Sequence, residues 1–191
     1  MTVLTQAPFW FMRHGETDWN RDGLIQGSTN IPLNETGWAQ ARAAGGVLAG
    51  RGITSVWCSP LQRARDSAGV VAEALGLTVV VEPGLREASF GTHEGEVMGD
   101  WFTAWAEGKT VPEGGESFAD LRVRAVAAMN GVLAGGGLPF VVAHGGFFRA
   151  VRGAMGFATT IRTANGVPVL CVPVDGVWSI TPATEVSDII A

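Results

Sequence analysis

Two cysteines, Cys58 and Cys171, are the only thiols in a chain of 191 residues. Each lies in an apolar run. No disulfide framework and no Cys-x-x-Cys pair can be built from them, and buried thiols in a cytoplasmic protein are the expected state. No stretch approaches the roughly 20 apolar residues that a bilayer crossing needs, so no membrane span is expected. The N-terminus has neither a basic n-region nor a cleavage-site pattern, and its apolar run leads straight into Arg13-His14. It therefore reads as a core strand and not as a signal peptide. Charge is sparse, at 16% of residues, with a net of −5. That balance argues against a general nucleic-acid partner, which would require a basic face, but it leaves room for a local basic pocket. There is no internal repeat and no low-complexity tract. Hydrophobic residues make up 47% of the chain, enough for a sizeable core in one domain over residues 1–191.

Apolar strand-like runs recur at Phe9–Met12, Ile53–Cys58, Thr78–Glu82, Phe140–Ala143, Val167–Val172 and Val177–Ile180, with helical patterns between several of them. This alternation predicts an α/β fold: a three-layer sandwich whose mainly parallel central sheet, of about six strands, is flanked by helices. Asn34 is placed to cap a helix carrying Trp38, Ala41 and Leu48 on one face. Ser59-Pro60 reads as a helix start, with Ser59 as N-cap and Pro60 in the first position. Ala64, Ala68, Val71, Ala72 and Leu75 form its inward stripe, and Gly76 ends it. Ser117 with Asp120 resembles a capping box that opens a helix over Phe118–Leu133, closed by Gly135-Gly136-Gly137. The irregular segment of residues 87–115, rich in glycine and tryptophan, reads as a small lid with a short helix around Asp100–Ala106.

In open α/β sheets, ligands bind beyond the carboxyl ends of the strands. Arg13-His14-Gly15-Glu16-Thr17 follows the first strand. Cys58-Ser59-Pro60-Leu61-Gln62-Arg63 follows the second, Glu87 comes after the third, and His144-Gly145-Gly146 follows the fourth. Separate strand ends thus aim Arg13, His14, Arg63, Glu87 and His144 at one edge of the sheet. These residue types suit phosphate. A neutral imidazole can attack phosphorus, while guanidinium forks hold charged oxygens and keep the imidazole unprotonated. His144 can donate to phosphoryl oxygens if it is cationic, and the helix opening at Gly145-Gly146 is expected to direct its free N–H groups and dipole at an anion. Alkoxide leaves poorly, so a nearby carboxylic acid should contribute roughly 10²- to 10⁴-fold. A metal centre is the rival use of two histidines and a carboxylate. The chain lacks His-Glu-x-x-His spacing, and the arginines would repel a cation, so no metal or other cofactor is expected.

Taken in order, Arg13-His14-Gly15-Glu16-Thr17, Asn20, Ser59-Pro60-Leu61-Gln62-Arg63-Ala64 and His144-Gly145-Gly146 resemble the histidine phosphatase superfamily, also called the phosphoglycerate mutase-like family. The resemblance runs from about Phe9 to Gly153. It implies that His14 is the phosphorylated nucleophile, that Arg13, Arg63 and His144 bind the transferred phosphoryl group, and that Glu87 gives a proton to the leaving group. It implies a phosphate contact for Asn20, a substrate-facing loop containing Gln26 and Gly27, and a backbone N–H from Gly145. His93 stands where relatives often carry an aromatic residue, and a packing or surface role is expected for it.

Other residues compete for these roles. Arg65 should face away from Arg63 on the same helix. Glu16, Glu94 and Glu116 are the alternative carboxylates to Glu87, and Glu116-Ser117 is positioned to touch substrate, although capping alone explains Ser117. Trp101 and Trp105 suggest lid packing, and Lys109, Glu107 and Glu113 read as surface groups. Within the family, the Leu24–Leu33 loop resembles the phosphatase version, where mutases usually carry a Thr-Gly-Trp-like segment. The stretch from Glu87 to His144 is also short. Both features favour a phosphomonoester hydrolase acting on a small phosphorylated metabolite. A cofactor-dependent phosphoglycerate mutase is the first alternative and a non-catalytic phospho-ligand module the second. Sugar phosphates, phosphoglycerate, nucleotide-like phosphates and phosphoproteins stay open as substrates. A homodimer is left open, as is the role of residues 184–191.

Overall fold

In the computed structural model, which describes residues 3–184, strand β1 (Phe9–Arg13) sends alternate side chains into two separate cores. Phe9 and Phe11 join one core, Trp10 and Met12 the other. Strand β4 (Pro139–Ala143) does the same, with Val141 and Ala143 on the first face and Phe140 and Val142 on the second. Period-2 alternation between two apolar cores is what a sheet covered on both faces requires.

The other strands are β2 (Ser55–Cys58), β3 (Val79–Val81), β5 (Val169–Val174) and β6 (Val177–Pro182). They form one sheet in the order β3-β2-β4-β1-β5-β6. The pairs β1–β4, β2–β4 and β2–β3 are parallel, whereas β5 runs antiparallel to β1 and β6 antiparallel to β5. The sheet is thus mainly parallel with an antiparallel edge. That edge is a hairpin turned by Asp175-Gly176, both at positive φ (50° and 79°), as a tight hairpin demands.

Helices α2 (Glu35–Leu48) and α3 (Gln62–Leu75) cover one face through Ala44, Leu48, Ala64, Ala68, Val71 and Ala72. Helices α5 (Phe118–Ala134) and α6 (Gly145–Ala154) cover the other, joined by the lid helix α4 (Asp100–Ala106). A one-turn helix α1 (Asp18–Arg21), capped reciprocally by Thr17 and Asn20, follows the β1 loop. Asn34 caps α2 through Gly37 N–H, and Gly76, in the left-handed region at φ 66°, ends α3. Ser117 Oγ accepts from Asp120 N–H, and its hydroxyl also meets the Asp120 carboxylate.

The expected N-cap of α3 needs correction. The helix starts at Gln62 with Leu61 as its N-cap, so Pro60 lies outside it and Ser59 is not the cap. Ser59 Oγ instead accepts from Leu61 N–H in a local turn, which keeps the hydroxyl on the site side. Both cysteines are buried and unpaired, and burial pushes the Cys58 thiol up to about 11. Among the described residues, no helix is long and apolar enough to cross a membrane. The open question about the chain end falls at residues 185–191, outside the described residues.

The loop that carries the first histidine is set by a close backbone approach. A Cβ on Gly15 would lie 2.4 Å from the Gly37 carbonyl oxygen, and one on Gly37 would lie 2.1 Å from the Glu16 carbonyl oxygen. Only glycine at both positions lets α2 pack directly on that loop. We expect Gly37→Ala to destabilise the fold by about 1–3 kcal/mol, because the obstructing atoms are backbone and cannot rotate away. Equilibrium denaturation checks this; a midpoint equal to the parent would show that the loop yields freely.

Candidate active site

The cavity at the carboxyl edge of the sheet has a volume of about 130 Å³ and is lined by Arg13, His14, Arg63, Glu87, Asn20 and Gln26 among others. His14 leaves β1 with its backbone N–H bonded to the Ala143 carbonyl, so the first histidine is registered against the strand that delivers the second. The two imidazole centroids lie 5.3 Å apart. His14 Nδ1 is 2.7 Å from the Gly15 carbonyl oxygen. A carbonyl can only accept, so Nδ1 carries the proton and Nε2 carries the lone pair.

Arg63 meets that lone pair: its Nε–H donates to His14 Nε2 at 3.2 Å. The rest of its fork donates to the carbonyls of Thr29 and Gly27, each at 2.7 Å. Arg13 donates from Nη1 to the Thr163 carbonyl, while its buried Nε makes no protein hydrogen bond. Burial pushes both guanidiniums down to about 10, partly offset by Glu87, so both stay charged at neutral pH. Burial, and then the charges of Arg63 and Arg13, drive His14 well below 6.5.

His144 is also driven well below 6.5, by burial first and then by Arg63, His14 and Arg13. The cationic form allowed for by the sequence reading is therefore disfavoured, and a neutral ring can donate through one nitrogen only. Its Nε2 lies 2.7 Å from Ser59 Oγ, and Nδ1 has no protein partner.

The amino end of α6 also differs from expectation. Gly146 N–H donates to Glu87 Oε2 and Phe147 N–H to Glu87 Oε1, both at 2.8 Å. Ala88 N–H adds a bond to Oε1 at 3.0 Å. The anion at this helix end is thus the Glu87 carboxylate itself, and Gly145, which lines the cavity, is the residue of that turn left to meet a ligand. A Cβ on Gly146 would fall 2.7 Å from Glu87 Oε1, which explains the second glycine of the pair.

The remaining candidates also reach the cavity. Asn20 Oδ1 accepts from Thr17 N–H and from Asn165 Nδ2, so its amide group is the end that can meet a ligand. Gln26 is buried, its Oε1 has no partner, and Gly27 lines the wall through the backbone that anchors Arg63. Among the described residues, no three of His, Cys, Asp and Glu gather as metal ligands.

The family model for the Histidine phosphatase superfamily (branch 1) matches residues 9–164. The chain belongs to that superfamily. The bifunctional protein Rv2228c of Mycobacterium tuberculosis is 39% identical over 151 residues, covering 73% of this chain and 42% of that protein. This chain thus spans about two fifths of the length of the mycobacterial relatives it matches. The probable phosphoglycerate mutase GpmB of Yersinia pestis is 36% identical over 148 residues, 71% of this chain and 68% of that protein. Among solved structures, the mycobacterial glucosyl-3-phosphoglycerate phosphatase Rv2419c in complex with VO3 superposes with a TM-score of 0.81 at 27% identity, covering 94% of this chain and 98% of that chain.

In this member of the superfamily, Arg124, which the sequence did not bring forward, and Glu94, considered there only as a rival acid, hold the site from behind. Arg124 grips the Glu116 carboxylate in a fork, at 2.9 and 2.5 Å, and donates to the carbonyls of Gly84, Arg86 and Glu87. Glu116 is therefore paired inside the protein and is absent from the cavity lining, contrary to the substrate contact considered for it. Glu94 binds the Ser28 and Thr29 backbone and hydroxyl groups and Phe90 N–H. Burial opposes its charge, but those hydrogen bonds outweigh it and lower its pKa. A basic residue four to eight positions from an acid is too common a pattern to single out Arg124 in advance.

Arg65 is exposed, as expected. His93 stacks on Trp101 with centroids 4.1 Å apart and pairs with Glu96, a packing role. Trp101 and Trp105 pack with Phe90 and Phe102 in the lid.

Neutral buried histidines make stability depend on pH. Unfolded histidine titrates near 6.5. Below that pH the unfolded chain binds protons that the native state does not. Each histidine should then cost up to about 1.4 kcal/mol per pH unit as pH falls, until its lowered native pKa is reached, and nothing above 6.5. We expect His144→Asn to flatten the fall of the denaturation midpoint between pH 6.5 and 5 relative to the parent. Identical slopes would mean that His144 protonates freely in the fold.

Proposed function

We propose that this chain is a phosphomonoester hydrolase that works through a phosphohistidine on His14. The observation that carries the reading is the His14 ring: Nδ1–H is committed to the Gly15 carbonyl, and Nε2 carries the lone pair beside Arg63 in a cavity also lined by Arg13. A phosphomonoester dianion draws the Arg63 and Arg13 donors onto its oxygens, together with His144 Nδ1 and Asn20. Binding of the dianion brings a proton from solvent onto Glu87; His14 Nε2 then attacks phosphorus in line, the bond to the ester oxygen breaks, and the acid form of Glu87 passes that proton to the oxygen and becomes the carboxylate. Water attacks the phosphohistidine next, its proton passes to the Glu87 carboxylate, and His14 is regenerated neutral.

Hydrolysis is favoured over transfer to a second substrate oxygen by the Leu24–Leu33 loop and by the short span between Glu87 and His144. Such a lid leaves the phosphohistidine open to water. A relative named as a phosphatase supports the same choice. The mutase is kept as the second reading because of the 36% identity to GpmB. Incubation with 3-phosphoglycerate and 2,3-bisphosphoglycerate separates the two, since efficient isomerisation without phosphate release reverses the order.

His14→Ala should abolish turnover, and the parent enzyme quenched during turnover should carry acid-labile phosphate on His14. Substantial activity in the variant, or phosphate binding by the parent without any phosphohistidine, overturns the proposal; the latter outcome favours a non-catalytic phospho-ligand module. Glu87→Gln should slow esters of ordinary alcohols by about 10²-fold or more and slow p-nitrophenyl phosphate far less, because nitrophenolate leaves without a proton. Equal losses on the two would remove Glu87 as the acid.

A further inference from the structure

We propose that Ser59 is a positioning residue: its hydroxyl donates to His144 Nε2 and holds the proton of that ring on Nδ1, as a donor kept for a phosphoryl oxygen at His14. The use made of Nδ1–H rests on the reading of His14 as the phosphoryl acceptor; the tautomer does not.

The sheet sets the two groups side by side. Cys58 pairs with Val142 across β2 and β4, and Ser59 N–H donates to the Val142 carbonyl at 3.1 Å. Ser59 and His144 therefore leave adjacent parallel strands at one level. Neither is exposed to water, so each polar atom there needs a partner within the protein or on a ligand.

The neutral ring has one proton to place. A hydroxyl has one proton and two lone pairs. Among the described residues, Ser59 Oγ meets only Leu61 N–H, at 3.2 Å, and His144 Nε2, at 2.7 Å. Leu61 takes one lone pair. Were the ring to donate from Nε2, it would take the other, and the Ser59 proton would have no acceptor. The His144 Nδ1 lone pair would be stranded as well. With the ring proton on Nδ1, Ser59 donates to Nε2, and only Nδ1–H is left for a partner.

The amino end of α6 gives a second, independent sign. His144 is the N-cap of that helix, the position from which a side-chain lone pair accepts from the second or third N–H. No such bond forms here, because Glu87 already takes Gly146 N–H and Phe147 N–H. A lone pair on Nδ1 would find no donor in the helix it caps. It would also repel phosphoryl oxygens, whereas an N–H attracts them. His144 is not part of the cavity wall, and its ring centroid lies 5.3 Å from that of His14. A group that meets Nδ1–H must come up to the His14 ring, as a transferred phosphoryl group does. The two rings thus share one tautomer for opposite ends. The Gly15 carbonyl holds the His14 proton on Nδ1 to free a nucleophilic Nε2, and Ser59 occupies His144 Nε2 to free a donor.

Nitrogen NMR of isotope-labelled histidine reads the tautomer directly. The chain has three histidines, and the His144 signals are those lost in His144→Asn. At neutral pH the parent should show a protonated Nδ1 and an unprotonated Nε2 for His144. Ser59→Ala should populate the other tautomer and lower kcat/KM for p-nitrophenyl phosphate about fivefold, the scale of one net hydrogen bond. In a His144→Asn background the same change should cost nothing further, whereas a serine that only supports the fold would cost as much in either background. Unfolding midpoints show that the variants are folded, and the parent spectrum decides the tautomer whether or not they are. A proton on Nε2 in the parent, an unaltered tautomer in Ser59→Ala, or equal losses in the two backgrounds overturns the role of Ser59 and leaves the hydrolase reading intact. A parent that forms no phosphohistidine overturns the hydrolase reading, and with it the use of Nδ1–H, even where the tautomer is as stated.

Discussion

The clasp of Arg63 on its surroundings is the interaction on which the rest of the site depends. A guanidinium only 1% exposed has lost nearly all its water, and an unpaired charge there would be prohibitive. It survives because two loop carbonyls and the His14 ring replace the lost hydration. The loop must therefore present the carbonyls of residues 27 and 29 inward. Glu94 ensures this by binding the N–H and hydroxyl groups of Ser28 and Thr29 from outside. Burial first, and then this cation, hold both imidazoles neutral, so Arg63 adds to the protonation state of the site and sets the path of the backbone around it.

Glu87 illustrates a different economy. Its carboxylate takes the first N–H groups of α6, which would otherwise lack partners, and helix and acid fix one another. The helix dipole that simple reasoning assigns to substrate thus serves first to place a side chain. In the proposed reaction, phosphate recognition falls to Arg13, Arg63, His144, Gly145 and Asn20.

Much of this was legible in the sequence because the signals were local or periodic. The six strands followed from short apolar runs, and the short helix at Asp100–Ala106 was found within a residue or two. The gathering of Arg13, His14, Arg63 and Glu87 around one cavity followed from strand-end geometry, whereas His144 is fully buried beside the His14 ring and is absent from the cavity lining. What escaped depended on partners far apart in the chain. Ser59 before Pro60 reads as a helix cap by every local rule, yet its hydroxyl is 2.7 Å from a histidine 85 positions away. The α6 N–H groups were assigned to a ligand because nothing local reveals that Glu87, 59 residues earlier, fills them. Arg149 and Arg162 lack any motif, and only the folded cavity places them together. The Asp175-Gly176 hairpin, by contrast, carries a recognisable turn signal, and it accounts for the antiparallel pairing of β6 on β5.

Arg124 has a consequence that reaches beyond the site it supports. Its guanidinium holds the carbonyls of Gly84, Arg86 and Glu87 on one side and the Glu116 carboxylate on the other. Those groups are the two feet of the intervening segment, so a single side chain buttons the segment shut at its base. Only the stretch beyond Glu94, which itself braces the loop under Arg63, hangs from that button alone, so a change of length or sequence there pulls on Arg124 before it reaches the carboxylate below.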